Sequence, residues 1–133
     1  MREISLKAVV VSSIFNFVLM VILIMVLAAI FASQYSATGG APASETEVSV
    51  AFEASWLSML ALVAPVAAGY LAAAMAKRAA ILHGALSSSL NVAWGVVCLI
   101  FLVPVQISSL LILAANPLLG VLGGYIWLRS YKR

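Results

Sequence analysis

Residues 8–31 read AVVVSSIFNFVLMVILIMVLAAIF. The run holds no charged side chain, and its only polar members are Ser12, Ser13 and Asn16. As a helix it rises 1.5 Å per residue and reaches roughly 36 Å, enough to cross a hydrocarbon core of about 30 Å. Three more runs share this character: Trp56–Ala76, Ala79–Val103 and Ile107–Leu128. Each has about 21–25 residues, a membrane-spanning length. A membrane barrel would instead need strands of about ten residues with alternating polarity, and no such pattern occurs. The reading is an all-α membrane protein, a bundle of four transmembrane helices forming one domain over residues 1–133, with a loop over about 32–55.

Composition agrees. Of the 133 residues, 65% are hydrophobic and 8% charged, whereas an ordinary soluble domain is about a quarter charged. The formal charge of +3 would suggest nucleic acid in a soluble protein. Here the basic residues flank the apolar runs, so they read as topology signals and no nucleic-acid partner is expected. The expected surroundings are the lipid bilayer. The lone Cys98 lies inside an apolar run and reads as a small core residue. Arg2 and Lys7 ahead of the first run resemble a signal peptide, but an h-region has only about 7–15 residues, so this run reads as a retained helix.

Lys and Arg set orientation. Arg2 and Lys7 precede the first run, Lys77 and Arg78 join the second to the third, and Arg129, Lys132 and Arg133 follow the fourth. All 7 basic residues fall on one side. The 32–55 loop has none but carries Glu45, Glu47 and Glu53, and the Pro104-Val105-Gln106 turn is neutral. N and C termini are therefore predicted to be cytoplasmic. Trp56 is expected at the outer interface, and Tyr125, Trp127 and Tyr131 near the inner one. The loop begins with Gly, Ala, Ser, Thr and Pro, so coil is expected there. Its Glu47–Phe52 stretch alternates in polarity and reads as an amphipathic extension of the second helix or plain loop in preference to a strand.

An internal echo appears. Ser12-Ser13-x-x-Asn16 matches Ser87-Ser88-x-x-Asn91, and Gly69-Tyr70 ahead of Lys77-Arg78 matches Gly124-Tyr125 ahead of Lys132-Arg133. Two helical hairpins of the same orientation, a parallel repeat, are predicted. Pro65 and Pro117 do not align in this scheme.

Small residues let helices approach closely in lipid. Gly120-x-x-x-Gly124 is a GxxxG motif, Ala64, Ala68, Ala72 and Ala76 form a ladder beside Gly69, and Gly84, Ser88, Asn91 and Gly95 share one face. Internal packing is the expected use. A homo-oligomer or a larger membrane-protein partner is the alternative. Asn16, Ser88, Asn91 and Asn116 form a candidate buried polar cluster, because amides facing lipid are costly. Asn91 and Asn116 are expected to meet. Pro65 and Pro117 each strand a carbonyl four residues earlier, at Ala61 and Leu113. His83, five residues into the third run, reads as a hydrogen-bonded interfacial histidine. With no second His, Cys or carboxylate near it in sequence, no metal site is expected.

The spans contain no Asp, Glu, Lys or Arg, which argues against a proton-coupled carrier. Neither a Ser–His–carboxylate set nor HExxH, a P-loop or GxGxxG occurs. No catalytic residue and no cofactor is expected.

Pro65-Val66-Ala67-Ala68-Gly69-Tyr70, then Lys77-Arg78, then His83-Gly84, is similar to a diffuse group of small four-span prokaryotic membrane proteins of unknown function. The similarity covers about 20 residues, with an echo at Gly123-Gly124-Tyr125. Ala68 stands where that pattern has a first glycine. The resemblance implies a four-helix fold in a prokaryotic inner membrane and no particular activity. The expected function is that of a small membrane interaction protein without catalysis: an accessory subunit, a chaperone-like partner or an immunity-type protein. The alternative is a transporter or pore component for a neutral or weakly polar solute.

Overall fold

In a computed structural model the chain is all-helical. The structure describes residues 4–37, 44, 47, 51–52, 59–77, 79–101 and 107–132, with the backbone alone for 98–101, 107–110 and 112. Among the described residues four main helices run in order. They are α1 (Leu6–Ala37), α2 (Val63–Ala76), α3 (Ala80–Phe101) and α4 (Ile107–Tyr131). A 3-10 turn, Leu60–Leu62, leads into α2. Among the described residues there is no strand. Among the described residues, by length and composition, two helical stretches are long and apolar enough to cross a membrane, Leu6–Tyr35 and Ala80–Val97, and Leu60–Ala76 is apolar but shorter.

The helix ends differ from the hydropathy limits for local reasons. α1 has 32 residues and runs past Phe31 into polar sequence. There the Ser33 hydroxyl donates back to the Ile30 carbonyl at 2.7 Å, so the helix carries its own polar groups. At α2 the α-helix proper begins at Val63, preceded by the 3-10 turn and by Met59 with helical backbone, and residues 53–58, which include the predicted start at Trp56, lie outside those described. Pro65 is its third residue, where a missing N–H costs little, and the 3-10 turn ahead of it bonds the Val63 N–H to the Leu60 carbonyl. Pro117 sits inside α4.

α2 and α3 are joined by a tight turn. Lys77 and Ala79 both have left-handed backbone, φ 55° and φ 47°. Lys77 closes α2 in this conformation, donating its N–H to the Ala73 carbonyl at 2.9 Å. For residues with a Cβ the left-handed region costs roughly 1–2 kcal/mol each. Arg78, between them, lies outside the described residues, as do Arg2, Arg133, Glu45, Glu53, Trp56 and the Pro104–Gln106 turn.

α2, α3 and α4 pack on one another, and α1 leans on α2 and α3. The glycines explain the closeness of the three-helix core. A Cβ on either Gly69 or Gly84 would collide with the backbone carbonyl of Gly120, and one on Gly123 with the Val66 carbonyl. At Gly124 an added Cβ would stand 2.7 Å from the Ala80 carbonyl oxygen. At Gly95 it would meet only the end of the Leu113 side chain. The GxxxG pair therefore packs within this chain. The parallel-repeat expectation does not extend to the neighbours of the helices. A two-fold relation would give α1 the surroundings of α3, yet α3 packs against all three other helices and α1 mainly against two.

Burial is inverted relative to a water-soluble protein. Apart from Pro65, the largest fully enclosed side chains are His83, Asn16, Ser12, Ser87 and Ser88. Large apolar residues point outward, with Met25 68%, Leu111 67% and Leu118 72% exposed. Phe17 and Trp94, both exposed, meet edge to face at 6.3 Å across α1 and α3. Near the basic end, Trp127 is buried against Ala73 and Ala80 and stacks on exposed Tyr131 at 4.9 Å.

Within the 38–58 segment, Glu47, Ala51 and Phe52 have helical backbone. The Ser44 N–H donates to Glu47 Oε2 at 2.9 Å and the Glu47 N–H donates to Ser44 Oγ at 3.3 Å, a reciprocal capping box. Phe52 is buried against Leu27, edge to face with Phe31 at 5.7 Å.

Candidate functional site

The polar residues gather along the seam between α1 and α3. At its start, Ser5 caps α1: the Ser5 hydroxyl accepts the Ala8 N–H at 3.4 Å and the Ser5 carbonyl accepts the Val9 N–H at 3.2 Å. The N–H of Ser5 itself donates to His83 Nε2 at 2.9 Å. In an ordinary capping box that donor goes to a Glu or Gln three residues on. Here a histidine on another helix takes it.

His83 is fully enclosed. Its Nδ1 lies 3.0 Å from the Ala79 carbonyl, which also accepts the His83 backbone N–H at 3.1 Å. Because Nε2 accepts from Ser5, Nδ1 carries the proton and donates to Ala79. One neutral imidazole thus holds the left-handed Ala79 turn, the first turn of α3 and the cap of α1 together.

Nearly two turns into α1, Ser12 Oγ lies 2.8 Å from Ser87 Oγ and donates into the Ala8 and Val9 carbonyls at 2.6 and 3.0 Å. A hydroxyl has one proton, so these contacts share it. Ser13 Oγ donates to the Ser87 carbonyl at 2.7 Å. Interhelical bonds of this type contribute about 0.6 kcal/mol on average, so their main effect is to fix register. Ser12 and Ser87 are equivalent positions in the sequence echo, and they touch.

The candidate amides separate. Asn16 is fully enclosed, and neither Nδ2 nor Oδ1 has a hydrogen-bond partner among the described residues. Ser88 is also enclosed, its hydroxyl without a partner, and it lies against Gly120 on α4. Asn116 is buried on α4, one turn from Gly120. Asn91 is only half-buried. Among the described residues no hydrogen bond between Asn91 and Asn116 is seen. Gly84, Ser88 and Gly95 do face α4 as a row.

Ser5, Ser12, Ser13 and Ser87 belong to the seam, although the sequence does not mark them as site residues. The paired serines marked the repeat, and the signal that places them in the seam is their spacing from Asn16 and Asn91 on a helical face. The surroundings of Cys98 lie outside the described residues. Among the described residues no group of three His, Cys, Asp or Glu is close enough to hold a metal ion. No family model, curated protein or solved structure matches this chain.

Proposed function

We propose that this protein is a four-span integral membrane protein that acts by holding a partner through its helix faces, without catalysis. The observation that carries the reading is the inverted burial. Serine, asparagine and histidine are enclosed while leucine, methionine and phenylalanine face outward. Lipid accepts an apolar exterior, and a bundle in lipid encloses its polar groups because nothing outside can hydrogen-bond them. The basic residues at one end favour a cytoplasmic position for both termini and the Lys77–Arg78 turn. A prokaryotic inner membrane fits that charge bias.

The interaction reading, as against a solute carrier, is supported by the glycine core. Three helices in backbone contact leave little room for a path between them. The partner is a second copy or a larger membrane protein that meets the outward faces of α1 and α4. The test is gentle extraction of tagged protein from its own membranes, followed by light scattering and mass spectrometry. The expected result is a species of fixed stoichiometry heavier than one chain. A lone chain whose stability changes saturably with a neutral solute would favour the carrier reading instead.

A further inference from the structure

We propose that the basic end of α4 carries a binding site for one anionic phospholipid, with the phosphate held by Arg129 and Tyr125 and an acyl chain lying along Leu122 and Leu118. The proposal rests on the membrane-spanning part of the reading above and is independent of any protein partner.

The site is a groove on the outward side of α4, lined by Leu122, Tyr125, Ile126, Arg129 and Ser130. Its volume of about 340 Å³ falls within the roughly 300–1,000 Å³ of small-molecule sites. All the lining residues are exposed. Leu122 and Ile126, Tyr125 and Arg129, and Ile126 and Ser130 each stand one helical turn apart and so share a side of the helix.

The groove has a polar end and an apolar end. At the polar end the Ser130 hydroxyl donates to the Ile126 carbonyl at 2.9 Å, so its proton is committed. The Arg129 guanidinium and the Tyr125 hydroxyl remain as donors, and neither makes a hydrogen bond or ion pair with another described residue. A planar guanidinium presents paired N–H groups that match two oxygens of a phosphate. At the apolar end the stripe passes from Leu122 to Leu118, which is 72% exposed. From Arg129 to Leu118 the helix rises about 16 Å, a path from the interface into the hydrocarbon.

Charge selects the headgroup. The 7 basic residues gather at this end, and Glu3 is the one acidic residue that the sequence places there. Glu45, Glu47 and Glu53 belong to the opposite loop. A positive end adjoining an apolar stripe matches a negative headgroup joined to hydrocarbon. A free anion would leave Leu118 and Leu122 uncovered.

The test reconstitutes the full chain in nanodiscs of phosphatidylcholine with and without phosphatidylglycerol, and counts the retained lipids by native mass spectrometry. The expected result is one phosphatidylglycerol held per chain in preference to phosphatidylcholine. Arg129→Gln should lower that preference by about tenfold or more, and Tyr125→Phe should lower it in the same direction. Lys132→Gln removes an exposed charge outside the groove and should lower it by less than about fivefold. Equal losses in Arg129→Gln and Lys132→Gln would mean diffuse attraction and overturn the site. Displacement of the lipid by inorganic phosphate would assign the groove to a free anion and overturn it as well. A chain that enters nanodiscs of neither composition sinks the membrane reading and the site with it, whereas insertion without headgroup preference sinks the site alone.

Discussion

Where α4 meets α2 and α3, backbone touches backbone; where α1 meets α3, hydroxyls and one imidazole touch. The first seam is made by absence, since Gly69, Gly84, Gly120 and Gly123 leave the space that a neighbouring carbonyl fills. The second is made by Ser5, Ser12, Ser13, His83 and Ser87 through bonds of 2.7–2.9 Å across the helices. A close-packed seam has nowhere to put an added atom, so its response to substitution is steep. A hydrogen-bonded seam loses one modest contribution at a time, and its losses are steep only where a buried group is left without a partner.

Gly120 offers the sharpest contrast. Gly120→Ala forces a methyl into the Ser88 hydroxyl and the Gly84 carbonyl and should destabilise the protein by about 1–3 kcal/mol, and Gly120→Leu by more. Gly95→Ala meets only the flexible end of Leu113 and should cost less than about 1 kcal/mol. Thermal unfolding in one detergent measures both. Equal losses would remove the distinction between backbone and side-chain contact.

His83→Leu comes next. It strands the Ser5 N–H and withdraws one donor from the Ala79 carbonyl, a loss of about 1–3 kcal/mol for buried groups. The loss should be local, with hydrogen exchange rising at Ala8 and Val9 before it rises in α4. Uniform acceleration along the chain would mean that the imidazole does not pin α1.

Ser12 and Ser87 test the strength of the polar seam. A double-mutant cycle of Ser12→Ala and Ser87→Ala should return a coupling of about 0.6 kcal/mol, and above about 1.7 would be unusual. A coupling of zero would mean that the hydroxyl pair plays no part in register. The smallest effect belongs to the 38–58 segment, where Glu47→Ala removes one half of an exposed capping box. Its cost should stay near or below about 1 kcal/mol, read as faster exchange at the Ser44 and Glu47 amides with the unfolding midpoint almost unmoved.

The glycine seam was legible in the sequence and the polar one much less so. Gly120-x-x-x-Gly124 and the Gly84–Ser88–Gly95 row follow helical periodicity, and periodicity alone brings such residues to one face. The Ser5–His83 bond spans 78 positions and depends on how α1 docks, which no local pattern encodes. Asn91 and Asn116 show the limit of reasoning from depth. The two lie at nearby levels on adjacent helices, but a helix face is also an azimuth, and Asn91 is turned partly outward. The Ser44–Glu47 cap stands in a stretch whose Gly, Ala, Ser and Thr content argues for coil, and that content hides it.

The central claim is that an inverted bundle lies across a membrane with its basic end inside, and cysteine labelling in intact cells tests it most directly. Native Cys98 is first replaced by Ala, and single cysteines are then introduced as Ser44→Cys and Ser130→Cys, both at exposed positions. A membrane-impermeant maleimide should modify Ser44→Cys from outside and reach Ser130→Cys only after the cells are opened. Labelling of both from outside, or of neither until lysis, would contradict the account.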